Sequence, residues 1–193
     1  MTPYYPPEAY QDLNEGVQEV LFSAETIEQR VRQLGQAISR DYEGCNPLLV
    51  GVLKGVFPFM SDLLRMITIP VEVDFMAITR YTGAEKTKGA VRITKDLDAS
   101  LEGRHVLFVE DVIDTGLTLN YLMRSLHVRG PASLKVCTLF NKSRRRLIDI
   151  PLQYKGFDLP AKFVVGYGLD YREKYRNLPF VGLLSPAVFQ PVE

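Results

Sequence analysis

Cysteine and histidine are scarce: Cys45, Cys137, His105 and His127 are the complete set in 193 residues. Two thiols are too few for a disulfide framework, and Cys137 falls in an apolar strand pattern, so a reducing compartment is expected. None of the four has metal-ligand spacing, which excludes a structural zinc site. Neither sign of charge is in excess, with 23 Lys plus Arg against 23 Asp plus Glu. No global field therefore draws the chain to nucleic acid or to an anionic membrane. The basic triplet Arg144-Arg145-Arg146 lacks interleaved aromatics and reads as a solvated or phosphate-facing loop. Long hydrophobic runs are missing too. Nothing approaches the roughly 20 residues of a membrane span. Met1 to Gly16 has neither the basic start nor the apolar middle of a signal peptide. A cytoplasmic location is expected, without repeats, linkers or low-complexity tracts.

What is present is an alternation of strands and helices. The Pro- and Tyr-rich start suggests a flexible arm over 1–14, with one domain over 15–193. Val17 to Phe22 suits a short strand, and Ser23 can N-cap a helix with Ile27, Val31, Leu34 and Ile38 on one face. Leu48 to Leu53 suits a strand buried on both faces and is followed by a helix through Met60, Leu63, Leu64 and Ile67. Further strands are expected at Val71–Thr79, Val91–Thr94, Val106–Val109, Leu134–Phe140, Phe163–Leu169 and Phe180–Leu184. The fold class is α/β: a twisted, mostly parallel sheet flanked by helices. Ligands of such sheets bind beyond the carboxyl ends of the strands, where Lys54, Asp114 and Lys142 fall.

The run VLFVEDVIDTGLT, Val106 to Thr118, carries the chemistry. After the strand come Glu110, Asp111 and Asp114, then the turn Thr115-Gly116-Leu117-Thr118. A helix follows, with Leu119, Leu122, Met123 and Leu126 on one face. A strand, a glycine turn and a helix start aim backbone N–H groups at one point, an arrangement that holds phosphate. Carboxylates beside an anion cradle would repel it unless they serve sugar hydroxyls, a cation or a mobile proton. A ligand with a phosphate, a sugar and a bound metal satisfies all three groups.

Two hydrophobic residues, two acidic, two hydrophobic, then Asp-Thr-Gly and Thr is a pattern similar to the signature of type I phosphoribosyltransferases, which bind 5-phosphoribosyl 1-pyrophosphate (PRPP). Three further strings resemble the 6-oxopurine branch of that family in the same order: LVGVLKG (49–55), FNKSRR (140–145) and FVVGYGLDY (163–171). The resemblance spans about residues 15 to 186. It implies the family's fold with a small hood lobe, and transfer of phosphoribose from PRPP to hypoxanthine or guanine, giving IMP or GMP. Glu110 and Asp111 would orient the ribose, directly or through Mg²⁺, with Asp170 as a third metal ligand. Asp114, Thr115, Gly116, Leu117 and Thr118 would cradle the 5′-phosphate, and Asp114 would be the acid/base at purine N7. Lys54, Gly55 and Arg176 would meet pyrophosphate, with a cis Leu53–Lys54 peptide. Phe163 would stack on the base, and backbone at Val164 and Asp170 would read its pyrimidine edge. Lys142 would donate to O6. An ammonium has only donors, so it suits an oxo group and opposes an amino group.

The segment from Arg80 to Ala90 matches the family's lid, with Tyr81 aligned but Arg80 where serine is usual. The implied partners are PRPP and a 6-oxopurine base, within a homodimer or homotetramer, without nucleic acid or membrane. Two alternatives stand beside this: a xanthine-preferring relative, and a PRPP-binding regulator on the same fold.

Overall fold

Three features of the sequence build the centre of the molecule, which the computed structural model describes for residues 7–10, 12–80 and 91–189. The first is the apolar run of β2 (Leu48–Leu53), bonded in parallel to β3 (Glu72–Arg80) and β5 (His105–Ile113). A strand with neighbours on both edges and helices on both faces meets no water, so alternation gives way to continuous hydrophobicity. The sheet continues through β6 (Ser133–Asn141) to β7 (Tyr154–Asp158), and β4 (Val91–Lys95) closes the other edge antiparallel, giving the order β4-β3-β2-β5-β6-β7.

The second is helical periodicity. Helix α2 (Ala24–Asp41) starts where Thr26 N donates to Ser23 Oγ at 3.3 Å, the expected N-cap. Its Ile27, Val31, Leu34 and Ile38 are all buried, with Phe59, Met60 and Leu63 of α3 (Phe57–Met66), against one face of the sheet. Helix α4 (Leu117–His127) sets Leu119, Leu122 and Leu126 against the other face. Because strand side chains alternate, Leu107 and Val109 of β5 join the first layer and Val106 and Phe108 the second. Each such side chain contributes about 1.5–3 kcal/mol on burial.

The third is the pairing of the two ends of the chain. β1 (Val17–Phe22), β9 (Val181–Leu184) and β8 (Val164–Val165) form a separate antiparallel sheet in the order β1-β9-β8, the expected hood. The described part of the expected arm carries local structure. Pro7–Tyr10 is a 3₁₀ turn and α1 (Asp12–Glu15) a helical turn, and the Tyr10 ring meets Phe180 edge-on at 6.3 Å.

Three expectations need correction. β5 runs on to Ile113, so Glu110 and Asp111 lie within the strand rather than after it. Only Val164–Val165 of the Phe163–Leu169 run is strand, because Gly166, Tyr167 and Gly168 turn with positive φ. β7 has no counterpart in the sequence expectations: Tyr-Lys-Gly-Phe-Asp is a polar edge strand with one buried side chain, Tyr154. No helix among the described residues is long and apolar enough to cross a membrane.

Candidate active site

Parallel pairing brings the ends of β2, β5 and β6 to one side of the sheet, and there a cavity of about 410 Å³ opens beneath the hood. It is lined by Glu110, Asp111, Asp114, Thr115, Gly116 and Thr118 from the β5–α4 segment, and by Lys142, Phe163, Val164, Asp170 and Arg176. Four separated stretches of sequence thus share one space.

The cradle depends on Gly116. It takes φ +82°, a left-handed conformation that side chains resist, and N-caps α4 with no side-chain hydrogen bond. Of the first N–H groups of that helix, Leu117 N donates to Thr115 Oγ1 at 3.4 Å, and a helix start offers the ones that follow to an anion. Leu117 is the exception among the five residues expected to form the cradle. Its side chain is half exposed and does not line the cavity, so backbone is all it can offer a ligand there.

The acidic pair is held at a cost. Glu110 Oε2 is buried with no hydrogen-bond partner. Burial, and then the charge of Asp111, raise the Glu110 carboxyl well above the carboxylate range. Burial likewise pushes Asp111 up to about 6, against the opposing pull of its hydrogen bond from Val112 N and of the Arg176 charge. Gly55 backs onto this pair so closely that a Cβ there would overlap Asp111 Oδ2.

Of the residues expected at the base, Lys142 is buried and donates from Nζ to Lys162 O at 3.1 Å, with its pKa lowered chiefly by burial. Phe163 keeps 44% of its surface exposed, which leaves a ring face for a ligand. Its edges are fixed by T-shaped contacts to Tyr171 at 5.7 Å and Phe189 at 5.6 Å. Neither partner was legible as a site residue: Phe189 comes from another segment, and Tyr171 reaches Phe163 only because the chain turns at Gly166–Gly168.

Among the residues expected at pyrophosphate, the Leu53–Lys54 peptide is cis. Lys54 does not line the cavity; its Nζ pairs with Glu173 Oε2 at 3.0 Å. Arg176 does line it and bonds Gly168 O at 2.7 Å, Asp170 Oδ1 at 2.8 Å and Glu173 Oε1 at 3.2 Å. Glu173, unforeseen from the sequence, therefore holds both cations. Gly168 (φ +94°) has no room for a side chain, because a Cβ would overlap Gly55 O. Tyr81 and the segment 81–90 lie outside the described residues, as does the side chain of Arg80.

Asp114 closes the circuit: its Oδ1 lies 3.0 Å from Arg145 Nε. Among the described residues no three Asp, Glu, His or Cys side chains form a ready-made metal cage, so Glu110, Asp111 and Asp170 share the cavity without converging on one point.

The model of the phosphoribosyl transferase domain matches residues 17–172. The chain belongs to the phosphoribosyltransferase family. Within that family it is 49% identical over 177 residues to the hypoxanthine-guanine phosphoribosyltransferase of Streptococcus agalactiae serotype V, covering 92% of this chain and 98% of the relative. It is 47% identical over 174 residues to the enzyme of the same name from Bacillus subtilis, covering 90% and 97%. The crystal structure of a hypoxanthine phosphoribosyltransferase from Staphylococcus aureus superposes with a TM-score of 0.88 at 42% identity, covering 93% of this chain and 97% of that one. The phosphoribosyltransferase signature is thus the segment that supplies both cradle and acids.

Proposed function

We propose that the protein is a purine-salvage hypoxanthine-guanine phosphoribosyltransferase, forming IMP or GMP and pyrophosphate from the base and PRPP. One observation carries this: a single cavity holds a phosphate cradle, a pair of raised carboxyls, a buried lysine and a half-exposed phenylalanine. These are the complements of a 5′-phosphate, a ribose, an oxo group and a flat base.

The chemistry follows from charge. Breaking the bond from C1′ to pyrophosphate leaves positive charge on the ribose and adds negative charge to the departing group. Groups that strengthen their hold as this charge develops accelerate the reaction. Arg176 and Lys54 serve the departing group, exchanging their Glu173 contacts for phosphate oxygens. Glu110 and Asp111 hold the ribose. The cradle anchors the 5′-phosphate, Phe163 and Lys142 orient the base, and Asp114 takes the proton at N7 as N9 attacks C1′.

The all-oxygen donor set, with Glu110 Oε2 buried and unpartnered, fits Mg²⁺. This ion usually binds through one or two carboxylates together with substrate phosphates and water, and so needs no three-acid cage. Glu110, Asp111 and Asp170 are the candidates to supply those one or two carboxylates, and the ion would neutralise charge on pyrophosphate.

The test is chromatography of reactions containing PRPP, Mg²⁺ and each of hypoxanthine, guanine, xanthine, adenine and uracil. IMP and GMP are the expected products. Their absence with folded protein ends the proposal, and preference for xanthine redirects it. Adenine should be rejected by about 10⁴ or more in kcat/KM, because a donor would face the Lys142 donor.

A further inference from the structure

The segment after β6 is built around Asp114. Lys142 N donates to Ile113 O at 2.9 Å and Leu147 N to Thr115 O at 2.9 Å, so backbone bonds bracket Asp114 on both sides. Between them, Ser143–Arg145 forms a single 3₁₀ turn, closed by Arg145 N to Lys142 O at 2.9 Å. That turn delivers Arg145 Nε to 3.0 Å from Asp114 Oδ1, and the next residue lies just as close: Arg146 Nη1 is 3.1 Å from where a Cβ on Gly116 would sit.

The Asp114 side chain is 40% exposed, yet its Oδ1 is sealed from solvent and receives no hydrogen bond. What fixes that oxygen is the neighbouring guanidinium charge. Oδ2 is then the oxygen offered to a ligand. Arg145 is itself 47% exposed, so it is not placed there by packing.

We infer that Arg145 is a positioning residue, holding one edge of Asp114 so that the other edge faces the purine. This rests on the proposed function, in which Asp114 moves the N7 proton. It also divides the basic triplet by role, since Arg145 addresses the acid/base group while Arg146 stands behind the cradle turn. Because Lys142 opens the same turn, the group that recognises the base and the group that aims Asp114 move as one unit.

The test is a double-mutant cycle on the full chain with hypoxanthine, PRPP and Mg²⁺, using Arg145→Gln, Arg145→Lys, Asp114→Asn and the pair Asp114→Asn/Arg145→Gln. Arg145→Gln should lower kcat about 10-fold, less than the 10²-fold that a full ångström of misplacement can cost. Its KM for PRPP should stay within about twofold of wild type, because the lost interaction belongs to the transition state. Arg145→Lys should recover most of kcat by restoring the charge. In the Asp114→Asn background the Gln substitution should have no further effect, the signature of action through Asp114. A raised KM for PRPP with kcat intact would make Arg145 a phosphate ligand instead and overturn the inference. Additive effects, or wild-type turnover in Arg145→Gln with melting unchanged, would do the same. A wild type that makes no nucleotide removes the proposed function itself, and with it any transfer for Arg145 to assist.

Discussion

Two groups of carboxylates in this molecule sit in opposite circumstances. Asp74, near the start of β3, accepts from Phe75 N at 2.7 Å, Asp98 N at 2.7 Å and Ala99 N at 3.0 Å, with Lys95 Nζ at 3.5 Å. Burial alone would raise its pKa, but these donors outweigh it and hold the carboxyl below its usual range. Asp96, just beyond β4, is lowered by Arg129, which meets both carboxylate oxygens at 2.9 Å. Glu110 and Asp111 are raised, and Glu110 Oε2 has no partner at all. The first group stabilises the fold. The second opposes it, as expected where function competes with stability.

The largest expected break in this contrast lies in catalysis. Asp114→Asn should lower kcat by about 10² to 10⁴, because the amide keeps the shape but cannot accept a proton. Steady-state rates with hypoxanthine decide this, and near-wild-type turnover would make Asp114 structural.

Asp111→Asn should separate activity from stability. Turnover should fall, while the ligand-free protein in EDTA melts higher at pH 7.5, by about 2–4 °C for each kcal/mol relieved. The sign follows from a folded pKa of about 6, above the unfolded value near 4. Below the unfolded value the acid is protonated in both states and costs nothing. As pH rises through 6, folding must bury a charge, and the advantage of Asn appears. Melting curves at pH 4 and 7.5 measure it; a lower melting point at pH 7.5 would refute it.

Asp74→Ala should do the reverse, leaving kcat unchanged but destabilising by about 1–3 kcal/mol, since three backbone N–H donors, two of them part-buried, lose their acceptor. A depressed folded pKa means that this stability is present above the unfolded value and is lost as pH falls through the folded one. The deficit measured in urea should therefore shrink in acid. Asp96→Asn should cost least, at most about 1 kcal/mol, because the Arg129 pair is half exposed and screened. A deficit there equal to that of Asp74→Ala would erase the distinction between several backbone donors and one partly exposed cation.

Much of this was legible from residue order. The N-cap at Ser23, the face Ile27-Val31-Leu34-Ile38 and the limits of β2 follow from local periodicity and capping, and all are present. The strand, the Gly116 turn and the helix after it were legible because their residues are adjacent. The loop after Val165 was not. Its apolar residues read as strand, but the chain must pass Gly55 O at Gly168, and Tyr167, at φ +48°, is pinned by its hydroxyl to Asp62 Oδ2 at 2.7 Å. Contacts between residues more than a hundred positions apart override a local pattern.

The sequence by itself determined the alternating strands and helices, the strand ends that carry Lys54, Asp114 and Lys142, and the family. These depend on patterns within a few residues, where spacing fixes geometry. Tertiary structure alone decided which charges are satisfied. Glu173 against Lys54, Arg145 against Asp114, and Phe189 against Phe163 and Tyr171 are meetings of separate segments. The energy of a carboxylate depends on which donors arrive within about 4 Å and on how much water leaves, and neither is written in its sequence neighbours.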